Sequence, residues 1–101
     1  PEAESLLTSI PDMEVESCTN WNKRYRENMV RLKSGDLYEV ARVVKALMHR
    51  DRQRGLSTGE RKMLHNARQI LLSEIVMAEN ETYDKIEARL DQAMMQPPAS
   101  H

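Results

Sequence analysis

Apolar positions in this 101-residue chain recur at three- and four-residue intervals, the spacing that places side chains on one face of an α-helix. No alternating run is long enough to predict a strand. Leu6, Leu7 and Ile10 give the first helical face within residues 2–10. Pro11 is expected to end it, because a proline pushes the preceding residue out of helical geometry. Residues 11–18 then read as an acidic connector. A second helix is predicted from Thr19 or Asn20, both good N-caps, to about Lys33. Trp21, Tyr25, Met29 and Leu32 share one of its faces, flanked by Arg24 and Arg31 on one side and Arg26 and Lys33 on the other.

Ser34-Gly35-Asp36 reads as a turn, with Gly35 suited to the position after a helix and Asp36 to the cap of the next. The third helix is predicted from Leu37 to Arg54, with the stripe Leu37, Val40, Ala41, Val44, Leu47 and Met48. Ser57-Thr58-Gly59-Glu60 fits the S/T-x-x-E capping box, so a fourth helix starts there and continues to about Ala78. Its expected stripe is Met63, Ala67, Ile70, Leu71, Met77 and Ala78. Glu74 falls in the middle of that stripe, and a buried carboxylate there would need a hydrogen-bonding or cationic partner. A fifth helix, capped near Asn80 or Thr82, is anchored by Tyr83, Ile86, Leu90 and Met94. Pro97-Pro98 ends order, leaving residues 97–101 as a loose tail. The predicted fold class is all-α, a compact bundle of about five helices: an acidic N-terminal segment over 1–18 leading into a helical domain over 19–96.

Composition agrees with that pattern. The chain has seven Met, no Phe, one Trp and only three Gly and four Pro, a helix-favouring mixture. No apolar run approaches the roughly 18 residues of a membrane span, and no signal peptide is visible, so a soluble cytoplasmic protein is expected. A single cysteine, Cys18, has no internal disulfide partner, which suits a reducing compartment. The chain opens at Pro1 rather than Met, so it reads as a fragment or processed product.

The net charge of −1 conceals a polar distribution. Residues 1–18 carry five acids and no Lys or Arg, residues 19–68 carry thirteen bases against five acids, and residues 69–101 carry two bases against six acids. A basic middle is the electrostatic footprint of a phosphate-binding surface. The competing reading is a solvated helical surface whose charges pair off.

Nucleotide, dinucleotide, zinc-protease and serine-hydrolase motifs are absent, so no enzyme, cofactor or small-molecule substrate is expected. His49 and His65 have no ligand-like spacing with Cys18 and read as helix-surface residues, so no metal site is expected. The methionines read as core filler. Three elements point to nucleic acid instead. Trp21 opens a helix with Lys23, Arg24 and Arg26 directly behind it. The loop through Arg54 to Thr58 and Gly59 leads into a helix bearing Arg61 and Lys62, whose amides could meet an anion. Arg50, Arg52 and Arg54 form a third basic group. The candidate DNA-binding residues are therefore Trp21, Lys23, Arg24, Arg26, Arg54, Thr58, Gly59, Arg61 and Lys62.

From Asn20 to Ala78, the segments NWNKRYRENMVRLKSGD, RDRQRGLSTGERKML and ARQILLSEI resemble the C-terminal domain of CarD/CdnL bacterial transcription regulators. The resemblance rests on W-x-x-R-Y, L-x-S-G-D, R-D-x-x-x-G-L-S-x-G-E and A-R-Q-I-L in that order. It implies a domain that contacts promoter DNA, without sequence specificity, at the upstream edge of the transcription bubble and stabilises the RNA polymerase open complex. It further implies that the tryptophan matched by Trp21 wedges into the minor groove, and that the positions of Arg26 and Arg61 touch the backbone. RNA polymerase would be bound by an N-terminal domain absent from this chain. The rival expectation is a helical protein–protein module whose basic surface meets an acidic partner and which binds no DNA.

Overall fold

Five α-helices and one short 3-10 turn make up the regular structure of the computed structural model, which describes residues 2–13 and 21–95 apart from the side chains of Glu2 and Trp21. The helices are α1 (Glu2–Ser9), α2 (Trp21–Lys33), α3 (Leu37–Arg54), α4 (Thr58–Glu79) and α5 (Tyr83–Met95). No strand occurs among the described residues, so the all-α reading holds. The caps assigned to Thr19 and Asn20, the connector over 14–18, Cys18 and the Pro97-Pro98 tail fall outside the described residues.

Helix boundaries follow local chemistry closely. Gly35 adopts φ +78°, and the Asp36 carboxylate accepts from the Tyr38 amide to start α3. At the other end of α3, Gly55 takes φ 82° and ψ 166°, a conformation essentially reserved for glycine. Arg52 and Arg54 in the last turn favour the negative end of the helix dipole. Asn80, offered as a cap for α5, instead closes α4 in the left-handed conformation. Thr82 holds the α5 start, its hydroxyl accepting from the Lys85 amide at 3.4 Å.

The core joins Leu6, Leu7 and Ile10 of the first segment to Val40, Val43, Val44 and Leu47 of α3, Leu71, Leu72 and Ile75 of α4, and Ile86 and Leu90 of α5. Its Cα radius of gyration, 13.1 Å, is close to the roughly 13 Å of a folded chain this long. Tyr25, Met29 and Leu32 pack on the core from α2, as the predicted stripe requires.

Two expectations are corrected. The first α-helix ends at Ser9, before Pro11 as expected, but the chain does not pass straight into a connector: it continues as a 3-10 turn, Ile10–Asp12, with Pro11 buried inside it. Lys45 explains why. Its ammonium is buried in α3 and donates to the carbonyls of Ile10 (2.7 Å), Pro11 (2.9 Å) and Met13 (2.7 Å). Its three N–H donors meet three carbonyls at the turn, of which that of Ile10 also accepts from the Met13 amide at 3.1 Å. Burial lowers the Lys45 pKa from the ordinary lysine value, and the nearby Asp12 carboxylate offsets only part of that.

The second correction concerns α4. Ile70, Glu74, Met77 and Ala78 of the expected stripe are exposed, while Leu72 and Ile75 are buried in their place. Near its start α4 meets α2 and α3, through Glu60 with Arg24 and Arg50. From Arg68 onward it meets α5, through Glu87 and Asp91. The packing face therefore rotates along the 22 residues of α4, and Glu74 needs no buried partner. Tyr83 is a partial anchor only: it is 39% exposed, and its hydroxyl accepts from Gln69.

Candidate nucleic-acid interface

The corner where α2, α3 and α4 meet is built around one carboxylate. Ser57 caps α4: its hydroxyl accepts from the Glu60 amide at 3.2 Å, and Glu60 Oε1 accepts in return from the Ser57 amide at 3.4 Å. This is the capping box read from the sequence, but its glutamate is 2% exposed and does more than cap. Glu60 Oε2 accepts from Arg24 Nε of α2 at 3.1 Å. Arg50 Nε of α3 approaches the same oxygen at 3.8 Å. Burial alone would raise the Glu60 pKa. The Arg24 hydrogen bond, the Ser57 amide and the positive charge of Arg24 outweigh it and hold the carboxyl below the usual glutamate value.

The contact between α2 and α4 is close at the next residue as well. A Cβ placed on Gly59 would lie 3.5 Å from Tyr25 Cε1, an ordinary van der Waals distance. The side of Gly59 that lacks a side chain thus faces the Tyr25 ring.

Of the candidate residues one is drawn into this corner, and others are exposed on the helices that form it. Arg24 is drawn in, with a side chain only 11% exposed. Lys23 and Arg26 of α2 are exposed. Arg54, Thr58, Arg61 and Lys62 are also exposed around the α3–α4 junction. Arg61 is partly tethered, its Nε donating to the Leu56 carbonyl at 3.2 Å. Trp21 is the first residue of α2, one turn before Arg24 and Tyr25. His49 and His65 are exposed, as expected. Among the described residues no group of His, Cys, Asp and Glu could hold a metal ion, and no helix is long and apolar enough to cross a membrane.

Sequence reasoning missed the double role of Glu60 and gave Arg50 no individual role. The capping motif named Glu60 correctly, but its spacing to Arg24 and Arg50 spans three helices and carries no sequence signal.

An all-helical module with a basic corner pinned by a buried carboxylate defines the class. The family described as "CarD, C-terminal domain" matches residues 5–91, and the chain belongs to that family. It is also 35% identical over 68 residues to "Putative transcription factor YdeB" of Bacillus subtilis (strain 168), covering 67% of this chain and 44% of that protein. The chain thus spans less than half the length of that relative.

Proposed function

We propose that the chain is a non-catalytic DNA-binding domain that contacts promoter DNA at the upstream edge of the transcription bubble and stabilises the RNA polymerase open complex. The observation that carries this reading is the basic corner of α2, α3 and α4 within a member of the CarD C-terminal family. Lys23, Arg26, Arg54, Arg61 and Lys62, all exposed, supply cations for the phosphate backbone. Such contacts hold position and carry no base information, so binding is not sequence-specific. Trp21 wedges between base steps in the minor groove. Unstacking costs a few kcal/mol and is least costly where the duplex is already opening, which favours a bubble edge over closed duplex. RNA polymerase is held by a domain outside this chain, and the complex works in the cytoplasm on the bacterial nucleoid.

The test compares binding of a forked junction and of plain duplex by the chain and by Trp21→Ala. Preference for the fork that disappears in Trp21→Ala, with the thermal midpoint retained, supports the reading. Equal binding of both DNAs by both proteins contradicts the wedge.

A further inference from the structure

The acidic end of the chain has no part in the proposed DNA contact. Residues 69–101 carry six acids against two bases. Glu87 and Asp91 face Arg68, and Arg89 faces Glu4, so these charges pair within the chain. The acids exposed on α4, α5 and the turn between them are Glu74, Glu81 and Asp84. Lys85, 3.8 Å from Glu81, offsets only part of their charge. Met77, 79% exposed, stands among these acids. Glu74 precedes it by three residues and Ile70, also exposed, by seven, so the three share one face of α4. Tyr83 extends that apolar surface from α5, its ring partly exposed and its hydroxyl held by Gln69.

The outer face of α2 has the opposite sign. Val30 is 69% exposed there, while Tyr25, Met29 and Leu32 pack on the core. Arg26 lies one turn before Val30 and Lys33 one turn after it, both exposed, and the acid on this side, Glu27, is half-buried. Val30 and Met77 are the two most exposed large hydrophobics among the described residues, and the charges around them are opposite. Arg24 of α2 reaches α4 at Glu60, and Tyr83 of α5 reaches it at Gln69. Nine residues at about 100° each put those two contacts on opposite sides of α4. Val30 faces solvent and Tyr83 lies across α4 from α2, so the two faces cannot close on each other within one chain. We propose that the Val30 face of α2 docks head to tail on the Ile70–Met77–Tyr83 face of a second copy of this chain. Charge decides the pairing: either face against its own copy would set like charges together, which opposes binding. A head-to-tail contact leaves one unused face at each end, so association runs past the dimer. The contact goes beyond the DNA-binding reading and does not require it.

The experiment is sedimentation equilibrium of the full chain over a concentration series reaching the millimolar range, at low and high salt, with thermal melts of each variant. The parent should associate reversibly beyond the dimer, and less so at high salt, because exposed charges are screened. Val30→Gln and Met77→Gln each remove one apolar centre and leave every charge in place. Each should weaken association several-fold with a melting midpoint near the parent's, since both sites are exposed. An equal mixture of the two variants should form dimers at concentrations where each alone is monomeric, because Val30 of one chain still meets Met77 of the other. A parent that stays monomeric throughout the series overturns the proposal. So does association that either substitution leaves at the parent's level, which places the contact on another surface or on one face alone. A mixture that associates no better than its components overturns the head-to-tail pairing as well.

Discussion

Arg24 Nε stands 3.1 Å from Glu60 Oε2, and this contact ties the first turns of α2 to the first turn of α4. Both side chains are largely withdrawn from water, so removing one partner breaks a buried charge pair. Losses of about 3–5 kcal/mol are usual for such breaks. Glu60→Gln should fall in that range, since it leaves two guanidinium groups facing each other. Arg24→Gln should cost less, because Arg50 is already 3.8 Å from the carboxylate and can close on it. Chemical denaturation of the two variants beside the parent checks the order, and equal losses would contradict it.

The same contact predicts acid sensitivity. The Glu60 pKa is lower in the folded chain than in the unfolded one. Its contribution is therefore fully present above the unfolded value, about 4.3, and is lost as pH falls through the folded value. Melting midpoints of the parent should drop through this acid window more steeply than those of Glu60→Gln. Parallel pH profiles would show that Glu60 is not the group responsible.

Lys45 makes a separate prediction. Lys45→Met fills a similar volume but removes the donor to the carbonyls of Pro11 and Met13, while Ile10 keeps the Met13 amide. An unsatisfied buried acceptor costs about 1–3 kcal/mol, so the variant should lose at least about 2 kcal/mol. The loss should be local first: hydrogen exchange should accelerate in α1 and the 3-10 turn before it accelerates in α3. Uniform acceleration over the whole chain would contradict this order.

The α3–α4 junction allows a paired test. Ser57→Ala removes the hydroxyl that caps α4 and should cost about 1 kcal/mol. Gly55→Ala meets no atom within 4 Å, yet it forces a side chain onto φ +82°. That backbone strain should cost about 1–3 kcal/mol. Thermal melts read both, and a neutral Gly55→Ala would show that the loop relaxes.

Much of this fold was legible because local chemistry decides it. Asp36, Gly55 and the Ser57–Glu60 box mark helix ends within the chain's own turns, and α3 begins and ends where they place it. The burial of α4 was less legible, because one helical stripe assumes one packing partner. Ile70 and Met77 follow the stripe of Met63 and Ala67, but α5 meets the later turns of α4 from another side, and there Leu72 and Ile75 are the buried residues. Lys45 was invisible for a related reason: a lysine in an apolar stripe reads as solvated until the carbonyls of a distant turn are brought to it. Within the candidate interface, the sequence named Arg24 and Arg61, yet only the folded chain separates an arginine bound to Glu60 from one exposed at the surface.

DNA binding by the basic corner is tested most directly by a salt titration of the chain's affinity for a forked junction, read by fluorescence anisotropy. Each phosphate contacted should add about 0.9 to the slope of log affinity against log salt, so several contacts should give a steep, linear fall. Undetectable binding at low salt, or an affinity that stays flat as salt rises, would contradict a DNA-binding role and favour the helical protein–protein module instead.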